Sequence, residues 1–91
     1  MQRGGFPVKL QDLPNIGPVL AENLKKVGVE TPEQLREAGT HEAFLRIRTQ
    51  VDSGACLHQL EAIEGAVEGV KKSTLSPEKK AELRTFYQKL K

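Results

Sequence analysis

A single cysteine, Cys56, rules out an internal disulfide. It falls in an apolar-looking helical stretch, where a free thiol is expected to act as a small buried hydrophobe. A reducing, cytoplasmic setting is the matching expectation. Histidine is also scarce, with only His41 and His58 present. A tetrahedral metal site wants four ligands, and Cys56 and His58, two apart on a helix, face different ways. His41, near a helix start, and His58, on a helix flank, read as solvated or packing residues. No nucleophile is spaced with a base and an orienting group, and neither GxxxxGK[ST] nor GxGxxG occurs. These absences argue against an enzyme, a metal or a cofactor. No run is long and apolar enough to span a membrane, and the N-terminus lacks a signal-peptide pattern. Val, Ile and Thr never alternate with period two, so no strand is expected.

The charge that is present is unevenly placed. The 91 residues carry a net charge of +2, too little to argue nucleic-acid binding by itself. Residues 51–70 hold Asp52, Glu61, Glu64 and Glu68 and no Lys or Arg, whereas residues 71–91 hold seven basic residues against Glu78 and Glu82. Glu61, Glu64 and Glu68 stand three and four apart on one helix face. They form either a solvated acidic face or a contact for a basic partner. The basic run Lys71, Lys72, Lys79, Lys80 and Arg84 either meets DNA backbone or simply solubilises the last helix.

Helical signals fill the chain and predict an all-α domain of five or six helices over residues 1–91, after a loose end at 1–6. A short element covers about Val8 to Asp12, with Val8 and Leu13 inward and Leu10 undecided, and Pro14 breaks it. The second helix runs from about Pro18 to Val27. Proline suits its first position and Gly28 its left-handed end. Thr31, Pro32 and Gln34 give the third helix a cap, a first-turn proline and a capping-box partner, and Gly39 ends it. Thr40 caps a fourth from His41 to about Gln50, striped by Phe44, Ile47 and Val51. Asp52 or Ser53 caps the fifth, about Ala55 to Val70, striped by Cys56, Leu60, Ile63, Val67 and Val70. Gly65 and Gly69, with Ala62 and Ala66, make a small-residue surface for another backbone to approach. After a linker at 71–75, Ser76, Pro77 and Glu78 start a last helix that reaches about Leu90. Its apolar face is Leu83, Phe86, Tyr87 and Leu90.

The stretch Leu13-Pro14-Asn15-Ile16-Gly17, followed by a helix with Ala21 and Leu24, resembles the helix-hairpin-helix element, which commonly reads Leu-Pro-Gly-Ile-Gly. The resemblance implies that outward backbone N–H groups of Asn15, Ile16, Gly17 and Val19 hold a phosphate of double-stranded DNA without reading bases. Lys25 and Lys26 would add charge, as would Lys9. Asn15 replaces a glycine and Pro18 removes one N–H. The alternative is structural: the prolines stiffen a turn, Ile16 plugs the core and Gly17 supplies a bend. Arg46 and Arg48, two apart, splay to different sides of their helix. One of them lies near a groove beside the hairpin, or both are solvated beside an acid such as Glu42.

A broader resemblance covers nearly the whole chain. Leu13 to Pro18, Gly28-Val29-Glu30-Thr31, Glu33-Gln34-Leu35, the Gly39 break, Ala43-Phe44, Arg46-Ile47-Arg48, Leu60 to Ala66 and Leu75-Ser76-Pro77 are similar to the C-terminal domain of the bacterial TfoX/Sxy competence regulators. Membership implies a non-enzymatic role in transcription regulation, with the cyclic-AMP receptor protein as a partner. Longer members carry a further domain ahead of this one, so the chain reads as a stand-alone copy or an excised domain. The other reading is a protein-interaction module that docks through Glu61, Glu64 and Glu68 or the small-residue surface, on a transcription regulator or a second copy.

Overall fold

The computed structural model describes residues 9–90. The expectations for residues 1–6 and for Val8 lie outside that range. Among the described residues there are five α-helices and two 3-10 turns, with no strand. The first turn, Leu10–Asp12, is closed by the Lys9 N–H donating to Asp12 Oδ2 at 2.9 Å. Leu10, undecided from the sequence, is the residue that points inward; Leu13 is half-buried.

Helix α1 (Pro18–Lys26) buries Leu20, Ala21 and Leu24. Its end closes as a Schellman motif: the Val29 N–H donates to Leu24 O at 2.9 Å and the Gly28 N–H to Lys25 O at 3.1 Å. Gly28, at φ 87°, takes the left-handed position, and Val29 folds back into the core. Helix α2 (Pro32–Ala38) starts as its caps predict, with Thr31 Oγ1 accepting the Gln34 N–H at 3.1 Å. Gln34 Oε1 accepts from the Glu30 N–H at 2.7 Å, one residue ahead of the usual capping-box partner.

Helix α3 (Thr40–Gln50) begins one residue earlier than expected. Gly39 both ends α2 and stands at the cap position of α3, so Thr40 is no cap and is buried inside the helix. Helix α4 (Leu57–Glu68) begins later than expected. Cys56 is its exposed N-cap rather than a core residue, and Ala55 is buried beside it. Asp52 does not cap this helix; its Oδ1 accepts the Gly54 N–H at 2.9 Å and tightens the preceding loop. Gly69 also departs from its expected role. It sits at φ 80° with open space around it and closes a second Schellman motif, in which the Val70 N–H donates to Gly65 O at 2.8 Å.

The segment expected as a linker contains the second 3-10 turn, Lys72–Thr74, and buries Leu75. Helix α5 (Pro77–Lys89) is capped as expected by Ser76 Oγ, which accepts the Lys79 N–H at 3.1 Å. Helix α4 is central: it packs against α2, α3, α5 and the second 3-10 turn. Leu24, Leu35, Phe44, Ile47, Leu60, Ile63 and Leu83 are completely buried around it.

Candidate nucleic-acid interface

The hairpin is a turn with a proline and an asparagine at its centre. The Ile16 N–H donates to Leu13 O at 3.4 Å, and Asn15 takes a left-handed φ of 71°. Proline followed by a left-handed residue is the pattern of a type II turn. Asparagine enters this region more readily than other side chains, so it can replace glycine here. Ile16 is buried and plugs the turn into the core.

The Asn15 side chain makes this turn part of the fold. Its Nδ2 donates to Val70 O at 3.0 Å and, more weakly, to Ala62 O at 3.4 Å; its Oδ1 accepts the Lys72 N–H at 3.0 Å. One amide thereby ties the N-terminal hairpin to the closing turn of α4 and to the 3-10 turn behind it. Gly65 makes room for it. A Cβ built there would run into the Asn15 amide and would lie 2.7 Å from Val70 O and 3.2 Å from Lys72 N. The small-residue surface expected at Ala62, Gly65 and Ala66 is real, but it lies inside the protein and is already covered.

Beyond the clasp, the chain exposes bare backbone. Gly17 is the N-cap of α1, and Pro18 is the first helical residue with no N–H to satisfy. Gly17 provides no side-chain cap, and the Gly17 and Val19 N–H groups have no acceptor among the described residues. Gly17 sits at φ −91° and ψ −177°, extended backbone open to any residue. A Cβ there would meet nothing within 4 Å. Val19 is 73% exposed, the one large apolar side chain so exposed among the described residues.

The charged residues expected around these amides are arranged differently. Lys25 and Lys26 are exposed, but they stand in the last turn of α1, about 10 Å along the axis from Val19 at 1.5 Å per residue. There they complement the helix dipole. Exposed Glu22 lies between Val19 and Lys26 on the same face. Arg46 joins that far end. Its Nε pairs with Glu42 Oε2 at 2.8 Å, the neighbour named in the structural alternative, and its Nη1 donates to Val27 O at 3.4 Å. Arg48 points elsewhere. Its Nη1 donates to Ala55 O at 3.3 Å and its guanidinium lies 5.6 Å from the Tyr87 ring centroid. The lysines brought to the hairpin are Lys71 and Lys72, which line one groove with Leu13, Pro14 and Asn15. Only the contact between Asn15 and Lys72 reveals that placement, and helical spacing carries no trace of it.

The acidic face of α4 is also rearranged. Glu61 is half-buried, Glu64 is only 9% exposed, and Glu68 alone of the three is exposed. Lys79 of α5 bridges Glu64 Oε2 at 3.9 Å and Glu82 Oε1 at 3.3 Å, and Glu82 meets His41 Nε2 at 2.9 Å. His41 also stacks on Phe86, with centroids 4.0 Å apart. The neighbouring Glu64 raises the pKa of Glu68 by accepting a hydrogen bond from the protonated carboxyl, with partial burial and the Glu64 charge acting the same way. The His41 imidazole is thus occupied by packing and pairing. No group of three or more His, Cys, Asp or Glu among the described residues could hold a metal.

The hairpin, the Gly39 junction, the arginine-bearing helix and the small-residue helix follow one another as in a known family, and the description of the TfoX C-terminal domain matches residues 7–87. The chain belongs to the TfoX C-terminal domain family. That family is a non-catalytic module. Two solved structures are similar to this TfoX C-terminal domain. One is an uncharacterized protein from Listeria monocytogenes in a triclinic crystal form, 47% identical, with a TM-score of 0.89, covering 91% of this chain and 93% of the other. The second is a protein of unknown function from the same organism in a tetragonal form, 48% identical, with a TM-score of 0.87, covering 90% and 99%. No curated protein matches the chain. No described helix of this TfoX C-terminal domain is long and apolar enough to cross a membrane.

Proposed function

We propose that this TfoX C-terminal domain is a DNA-associated regulatory module acting in the cytoplasm. It contacts the phosphate backbone of duplex DNA weakly through the Gly17 and Val19 amides and reads no bases. The observation that carries this reading is Gly17. Neither its dihedrals nor its surroundings call for a missing side chain, yet it exposes uncapped backbone at a helix start. Bare amides at such a start suit an anion, and glycine lets a phosphate approach closely. Asn15 and Ile16 serve the contact by holding the turn. Lys25 and Lys26 add longer-range attraction from the far end of α1.

A second reading draws on the exposure of Val19. It makes the hairpin tip an apolar contact for a protein partner, such as the cyclic-AMP receptor protein implied by the family. Glu64, Ala62, Gly65 and Ala66 are already engaged inside the fold, which leaves Glu68 and half-buried Glu61 as the acidic contribution to such a surface.

Titration of a short labelled duplex at low and moderate salt separates the two. Backbone contact predicts binding that weakens with salt, with a log–log slope of about −0.9 for each phosphate neutralised. Gly17→Ser is the informative variant. A serine at the cap is at least as favourable for the helix as glycine, by a few tenths of a kcal/mol. Its hydroxyl would accept the free Val19 N–H and compete with a phosphate there. Thermal stability should hold or rise while duplex affinity falls; unchanged affinity would refute the amide contact.

A further inference from the structure

The closing turn of α4 delivers Lys71 and Lys72 directly behind the hairpin, because Asn15 accepts the Lys72 N–H and donates to Val70 O. Lys80 joins them from α5, its Nζ donating to Ser73 O at 3.4 Å. Three cations thus gather at the second 3-10 turn, next to the hairpin. Among the described residues none of the three has a carboxylate within 4.0 Å, in contrast to Lys79, the residue next to Lys80, which bridges Glu64 and Glu82. One acid, Asp12, lines the same groove; its carboxylate accepts the Lys9 N–H and stands as a single negative charge against Lys71 and Lys72. Like charges in excess of their counter-charge repel one another, and a bridging anion relieves that repulsion. The uncapped Gly17 amide follows Asn15 by two residues, so the Asn15 side chain links the segment bearing Lys71 and Lys72 to the bare backbone, with Lys80 reaching that segment at Ser73.

We propose that Lys71 and Lys72, with Lys80 beside them, form a second phosphate contact on the same duplex, and that Asn15 is the positioning residue that sets this contact in register with the hairpin amides. The proposal rests on the backbone-contact reading above. It assigns affinity to the end of α1 where the amides lie, and to lysines more than fifty residues further along the chain.

Lys71→Gln/Lys72→Gln tests it against Arg84→Gln/Lys89→Gln, a matched loss of two exposed positive charges on α5. The first pair is expected to weaken duplex binding at low salt at least about tenfold and to flatten the salt slope by about 2, one for each lysine. The control pair should stay within about twofold of the parent. Thermal melts confirm that each variant folds. If Lys71→Gln/Lys72→Gln melts early, Lys71→Gln alone, at an exposed side chain, should still flatten the slope by about 1. Equal weakening by both pairs, or no weakening by the first, overturns the second contact while leaving the hairpin reading intact. A parent protein that binds no duplex at low salt overturns the hairpin reading itself and this proposal with it.

Discussion

Asn15 combines two properties that ordinary substitutions separate. It tolerates φ 71°, and it supplies both a donor and an acceptor to backbone groups of a distant segment. Asn15→Gly keeps the turn and removes the clasp, leaving the Lys72 N–H and Val70 O without their partner. Equilibrium unfolding in urea should show a loss of about 1–3 kcal/mol. Asn15→Ala should cost about 1 kcal/mol more, because alanine resists the left-handed region. Gly65→Ala gives the complementary result. Helix propensity alone favours alanine by about 1 kcal/mol, yet the added methyl would strike Asn15 and the Val70 carbonyl. Overpacking of this kind costs about 1–3 kcal/mol, so the variant should melt below the parent. A melting point equal to or above the parent's would show that the junction is looser than described.

Among the elements, those with strong local chemistry were legible in advance and those defined by distant partners were not. Thr31 with Pro32 and Ser76 with Pro77 start α2 and α5 where cap and proline indicate. Gly28 ends α1 by its own conformational preference. Periodicity puts the start of α4 too early because Cys56 fits the apolar period, and periodicity does not distinguish a first helical turn from the residue that caps it. The closed role of Glu64 was hidden because its partner Lys79 comes from another helix. The hairpin was recognisable as a motif. Its rim was not, since Lys71 and Lys72 reach it only through the Asn15 clasp. Two tests belong to α4. Cys56 makes no side-chain capping bond, and a hydroxyl is a stronger acceptor, so Cys56→Ser should raise stability by about 0.5–1 kcal/mol in thermal unfolding. The exposed thiol should also react with a thiol-specific reagent in the folded protein, whereas a buried one would wait for unfolding.

At the scale of the whole molecule, α5 is fastened to the rest by Leu83 in the core and by Lys79 and Glu82 at the surface. The carboxyl of Glu68 adds a pH dependence beside this junction. The pKa of Glu68 is raised from its ordinary 4.5, first by its hydrogen bond to Glu64 and then by burial and the Glu64 charge, with Lys79 opposing. The folded state therefore holds that proton more tightly than the unfolded chain. Its stabilising effect is complete below 4.5 and fades as pH rises through the higher folded value. Glu68→Gln should flatten the stability profile in the weakly acidic range just above the ordinary carboxyl value. The size will be small because Glu68 is largely solvated. An identical profile in parent and variant would remove Glu68 from the account.

The reach of Asn15 also bears on synthesis. Its partners stand at positions 62, 70 and 72, so a growing chain that has released only α1 to α3 holds every residue of the hairpin and none of the groups that fasten it. The hairpin bend is consequently completed late, after α4 and the turn behind it have left the ribosome. A fragment ending at Gln50 would carry the hairpin residues without the fastening that shapes them, and engineers grafting this loop elsewhere must bring the distant turn along with it.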